Sequence, residues 1–159
     1  EQGRAHHVHH KVPFRSFASS EQANQLANLI TLCPACHRRA ELAVRIRSGL
    51  AGVAYELGNL APLFLMCDPL DIGIHTDPNS SIADGKPVIV IYDQVPAGIG
   101  FSQRLFEVHD QLIHHALELV EACPCSDGCP SCVGPGGENI YGGKNEALAL
   151  LKALYTLPS

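Results

Sequence analysis

The densest chemistry in the sequence lies at 123–132, where the chain reads Cys123-Pro-Cys125-Ser-Asp-Gly-Cys129-Pro-Ser-Cys132. The spacing is C-x-C-x3-C-x2-C. Four thiolates in one short loop suit a structural zinc ion, which takes four ligands tetrahedrally with sulfur at ~2.3 Å. Gly128 and the prolines turn the backbone around such an ion. The C-x-C half is tighter than the usual C-x2-C, so strain is expected there. A redox disulfide and an iron–sulfur cluster are the rival readings. Seven cysteines in 159 residues, an odd number behind a start that is no signal peptide, favour metal ligation over a disulfide framework. Cys67 stands apart and reads as a small buried hydrophobe.

A second concentration lies in the first third. His9-His10-x-x-Pro13 is followed by Asn28-Leu29-x-x-Leu32-Cys33-x-x-Cys36-His37, and this third holds five of the nine histidines. Residues 1–47 carry seven Lys or Arg against three acids, a net +4, while residues 48–159 carry four against thirteen, a net -9. A basic head on an acidic body fits a DNA contact made by the head. Arg38, Arg39, Arg45 and Arg47 suit phosphates, and equally suit a solvated helix face.

These residues need elements to hold them. The stretch 9–13 has too many turn and β signals for a helix. A helix is expected from Pro34, where proline is tolerated in the first turn, and Ala43 to Leu60 either extends it or forms a second one. Gly49, Gly52 and Gly58 weaken that expectation. Leu63-Phe64-Leu65-Met66 reads as a strand or buried turn. Asp71 to His75 reads as a short strand, and 77–81 as loop. Val88 to Tyr92, continuous and β-branched, is the best strand and is expected to be buried. After the glycine loop 96–100, Ser102 caps a helix running to Ala122. A last helix covers Asn145 to Leu157. Asp68, Asp71 and Asp93 read as caps and turns rather than an acidic site. His114 and His115 point to different sides of their helix.

With 46% apolar and 17% charged residues the chain can bury a core and is no disordered tail. No membrane-length apolar run occurs. A soluble, cytoplasmic protein is expected, and the missing initiator Met suggests a fragment.

The cysteine loop, with Val133-Gly134-Pro135 after it, resembles the zinc-binding C-terminal domain of MrfA-type superfamily 2 DNA helicases. Two further stretches extend the resemblance over roughly 43–158: Asn59 to Gly73, and Ile91-Tyr-Asp93 through Gly98-Ile-Gly100-Phe-Ser. It implies a C-terminal accessory zinc module of a DEAD/DEAH-type ATP-dependent helicase in DNA repair or defence. ATP would be used only in motor domains elsewhere. Gly142-Gly143-Lys144-Asn145 is the nearest approach to a phosphate-binding P-loop, but Glu138 stands where its first glycine belongs and Asn145 where its Ser/Thr belongs.

The head is similar to the HNH nuclease motif. That resemblance implies His10 as general base, Asn28 as its orienting partner, His9 and His37 as ligands of a catalytic Mg²⁺ or Mn²⁺, and Cys33 and Cys36 as half of a structural zinc site. The upstream Cys-x-x-Cys of that motif is absent, with His6 and His7 as substitute ligands. The expected architecture is therefore α+β. A truncated HNH-like ββα module at 1–42 precedes a four-cysteine domain at 43–159, whose small sheet packs with helices. DNA and the motor domains are the expected partners, with no membrane. A metal-dependent endonuclease and a redox-switched interaction domain are the alternative functions.

Overall fold

The structure, a computed structural model, describes residues 6–95, 98–134 and 143–156. Most of the glycine-rich stretch between the cysteine loop and the last helix, and the helix end expected at Leu157, fall outside them. The described residues form an α+β fold with two separate two-stranded antiparallel sheets and five α-helices. The first sheet pairs β1 (His7–His10) with β2 (Leu29–Leu32), His9 opposite Ile30 and His10 opposite Leu29. Between them lies the short α1 (Ser20–Ala23), capped by Ser19 Oγ, which accepts the Gln22 N–H. A ββα unit is completed by α2.

Helix α2 runs unbroken from Pro34 to Leu65, 32 residues and about 48 Å at 1.5 Å per residue. The alternative of a second helix is thus excluded, and the expected domain boundary at 42/43 falls inside one helix. Burial explains why Gly49 and Gly52 do not break it. The first half is largely solvated, and buried residues begin at Ser48. From there α2 lies against α5 (Lys144–Thr156) closely enough that side chains are excluded. A Cβ on Gly49 would sit 2.7 Å from Leu150 Cδ1, and one on Gly52 would sit 3.0 Å from Ala147 Cβ. The helix penalty of glycine is offset by backbone approach. The run Leu63–Leu65 is the last turn of α2, neither strand nor buried turn, and Met66 ends the helix in left-handed conformation, φ 52°.

The second sheet pairs β3 (Ile72–Ser80) with β4 (Lys86–Asp93). β3 extends through 77–80, expected as loop, by way of an irregularity between Asp77 and Ser80. β4 is half-buried rather than buried, because a two-stranded sheet covers only one face with the helices. The single helix expected at 103–122 is two, α3 (Phe101–Glu107) and α4 (His109–Ala122), broken at Val108 with φ -111° and ψ 13°. The core gathers Val53, Leu57 and Leu60 of α2, Leu112 and Val120 of α4, and Leu151 of α5, with Cys132 and Val133 of the cysteine loop. No described helix is long and apolar enough to cross a membrane.

Candidate metal centre

The cysteine loop begins where α4 ends. Cys123 is the C-cap, its N–H bonded to Leu119 O at 3.2 Å. The chain then turns back, with the Cys132 and Val133 N–H groups donating to Cys129 O at 3.0 and 3.2 Å. Gly134 leaves the loop at φ 91°, where a Cβ would also strike the Tyr55 ring at 2.9 Å. Only glycine meets both conditions.

This path brings all four sulfurs together. Sγ–Sγ separations are 3.5 Å for Cys123–Cys125, Cys123–Cys129 and Cys125–Cys132, and 3.6 Å for Cys129–Cys132. A tetrahedron with zinc–sulfur bonds of ~2.3 Å has edges of ~3.8 Å. Four of the six separations lie within a few tenths of an ångström of those edges, and all four sulfurs lie within 4.8 Å of one another, so the donor set suits a single four-thiolate ion. A disulfide would need sulfurs at ~2.05 Å, and all the cysteines are free thiols. A multi-iron cluster would need the sulfurs spread around several metal atoms. Burial pushes the Cys132 thiol up to about 12, opposed by the Cys129 N–H that points at its sulfur. Metal must displace that proton, since zinc binds thiolates.

Two distant side chains hold the loop. Tyr55 of α2 donates its hydroxyl to Pro130 O at 2.8 Å. Lys144, first residue of α5, donates from Nζ to the carbonyls of Cys123 and Cys125. Neither is signalled by local spacing, because each lies outside the cysteine loop in sequence. Lys144 thus holds backbone carbonyls of the cysteine loop.

The acidic residues are caps. Asp68 and Asp71 form a reciprocal capping box. Asp93 closes the glycine loop: Oδ2 accepts the N–H groups of Ile99 and Gly100 at 3.1 Å, and Oδ1 that of Ser102 at 2.7 Å. The N-cap position of α3 is Gly100, and the side chain that caps the helix is Asp93, whose carboxylate accepts the Ser102 N–H, rather than Ser102 itself. Although partial burial of Asp93 works in the other direction, these backbone N–H groups hold its carboxyl below the ordinary range.

The head is less complete. His9, His10 and His37 line an open cleft of about 560 Å³. The rings of His9 and His37 lie 5.2 Å apart, and His37 Nδ1 is 3.4 Å from Glu41 Oε1. His10 Nε2 meets Asn24 Oδ1 at 2.9 Å. Asn28 is placed differently from its expected contact. It accepts the Val12 N–H at 2.8 Å and donates to Val12 O and Ala23 O, so it fixes the turn after His10. Cys33 and Cys36 are exposed at the start of α2. The Cys36 N–H lowers the Cys33 thiol, while hydrogen bonding to Cys33 raises that of Cys36. Among the described residues, only the four cysteines of the loop form a metal-ligating set of three or more. Arg38, Arg39 and Arg47 are exposed, and Arg45 Nε pairs with Glu146 Oε1 of α5 at 3.5 Å.

Known proteins resemble the two parts separately. The family described as MrfA Zn-binding domain matches residues 53–133, including all four loop cysteines, and the family described as HNH endonuclease matches residues 1–41. The ATP-dependent helicase YprA of Bacillus subtilis is 35% identical over 64% of this chain and 13% of its own length. MJ1572.1 of Methanocaldococcus jannaschii is 30% identical over 64% of this chain and 96% of its own. A crystal structure of the DUF1998 helicase MrfA bound to DNA superposes with a TM-score of 0.61 at 32% identity, over 69% of this chain and 14% of that one. The chain thus spans a small fraction of the helicases it resembles and nearly all of the archaeal protein.

Proposed function

Because the chain belongs to the MrfA Zn-binding domain family, we propose that it is a zinc-bearing accessory module of an ATP-dependent DNA helicase, helping the motor to engage DNA. The observation that carries this reading is the set of four sulfurs at contact distance inside the matched stretch. Cys123, Cys125, Cys129 and Cys132 would hold the ion and so lock the loop after α4, a loop that Tyr55 of α2 and Lys144 of α5 hold by hydrogen bonds. A related helicase has been crystallised on DNA, and Arg38, Arg39 and Arg47 offer the present chain exposed cations for phosphates. ATP hydrolysis belongs to motor domains of the same helicase, and a role in DNA repair or defence goes with it. A cytoplasmic setting, reducing enough to keep thiols free, suits the reading.

The test is metal analysis combined with DNA binding. Purified protein is expected to contain about one zinc per chain and to bind labelled single-stranded DNA more weakly as salt rises. Substituting Arg38, Arg39 and Arg47 together with Ala is expected to weaken that binding. Metal-free protein, or DNA binding indifferent to salt and to those substitutions, would overturn the reading.

A second reading has its own observation, the ββα unit that brings His9, His10 and His37 to one cleft. On this reading the head, 1–42, is an HNH endonuclease module carried by the zinc domain, 43–159. His9 and His37 would hold Mg²⁺ or Mn²⁺, and His10 would take the proton from the attacking water. Asn28 would act through the turn it fixes, and Cys33 and Cys36 would await two further ligands. Plasmid nicking with either ion, lost in His10→Ala, is the expected result; nicking unchanged by that substitution removes His10 as base.

A further inference from the structure

We propose that Lys144 is the counter-charge of the metal centre, a positioning residue through which α5 fixes the Cys123–Cys125 half of the thiolate set. The inference rests on the zinc reading above and concerns a residue outside the matched stretch 53–133.

The placement of Lys144 is costly on every local ground. It is only 8% exposed, and lysine is seldom buried without a partner. It opens α5, so its charge sits at the positive end of that helix dipole, where a cation is disfavoured. Its environment must therefore favour the charge.

Three sources of negative potential meet there. Cys123 O lies at the carbonyl end of α4, the negative end of a 14-residue helix. Cys125 O is the second carbonyl that receives Nζ, at 3.0 Å. A dication held by four thiolates leaves a net charge of about -2 in a site whose innermost sulfur, on Cys132, is fully buried. The same residue ties the loop a third time, its N–H reaching Asp127 O at 3.2 Å.

The two carbonyls that Nζ holds belong to two ligand residues separated by a single proline. C-x-C is the tightest spacing in the set, with the fewest torsions available to aim both sulfurs inward. Fixing both carbonyls from outside sets the orientation of the two Cα–Cβ bonds. Lys144 thus supplies charge and geometry at the tightest ligand spacing of the set.

The experiment replaces zinc with Co²⁺ and compares the full chain with Lys144→Arg, Lys144→Gln and Lys144→Met. Wild type is expected to give the charge-transfer and d–d bands of a four-thiolate cobalt centre. Transfer of the metal to a chromophoric chelator is expected to be slow in wild type and Lys144→Arg. It should be on the order of tenfold faster in Lys144→Gln, which keeps donors but loses charge, and faster again in Lys144→Met. The metal-free proteins are expected to melt together, which separates this role from simple packing. Equal transfer rates in wild type and Lys144→Gln would overturn the proposal and leave the metal centre standing. Absence of thiolate bands in wild type would overturn the zinc reading itself, and the proposal with it.

Discussion

Cys33-x-x-Cys36 and Cys129-x-x-Cys132 have the same spacing and opposite surroundings. The first pair opens α2 in solvent, with no third ligand among the described residues. The second sits against the core, faces the sulfurs of Cys123 and Cys125 at 3.5 Å, and is held through Pro130 by Tyr55. Their thiols respond accordingly. The N–H of Cys36 favours thiolate at Cys33, whereas burial favours the neutral thiol at Cys132. Two cysteines in register are thus only half a site. What completes it is a second pair delivered by the same short loop, Cys123 and Cys125, and a wall that excludes water.

The largest test of that contrast is paired serine substitution. Cys132→Ser is expected to abolish zinc binding and to cost several kcal/mol, since binding energy at structural zinc is folding energy. Cys36→Ser is expected to leave about one zinc per chain and a nearly unchanged melt. A loss of zinc from the second variant, by elemental analysis, would mean that the head holds its own ion and would break the comparison.

A smaller effect separates the two regions by pH. The buried polar residue of the head, Asn28, is neutral and has three hydrogen bonds. The body buries Glu56, whose carboxyl is raised from 4.5 to about 7 by burial. Its folded-state pKa lies above its unfolded one. The associated stability is complete below 4.5 and is lost as pH rises through 7, by on the order of 3 kcal/mol. Glu56→Gln should therefore gain on wild type at pH 8 and match it near pH 4. Melts whose difference does not change with pH would refute this.

The smallest expected effect concerns packing along α2. Gly52→Val should cost ~1–3 kcal/mol by driving methyls into Ala147 and Val133. Ala43→Val, on the solvated half of the same helix, should stay within about 0.5 kcal/mol. Equal melting temperatures for the two would show that the α2–α5 crossing is looser than its geometry.

How much was legible in the sequence depended on range. The cysteine loop is local, so its spacing alone pointed to a zinc site ahead of a disulfide or an iron–sulfur cluster. The start of α2 at Pro34 and the strand around 88–92 rest on neighbouring residues and were also readable. Gly49 and Gly52 weakened the helix expectation because their partners, Leu150 and Ala147, are distant in sequence. Ser102 looked like a cap because nothing nearby revealed that Asp93 folds back onto its N–H. The end of β3 was hidden by Asp77-Pro78-Asn79, turn residues that a partner strand nevertheless pairs through. Tyr55 and Lys144 carry no motif of their own. Their importance is a property of where the helices meet.

The unbroken course of α2 has one more consequence. Cys33 and Tyr55 stand on the same rod, so the bearing of the head relative to the metal centre is written as a residue count. Inserting one residue among 43–47 would swing the head by about 100° and advance it by 1.5 Å, while seven would return it close to its original heading, two turns farther out. Any surface assembled from both ends is therefore keyed to helical phase, as teeth on two wheels are keyed by a common shaft.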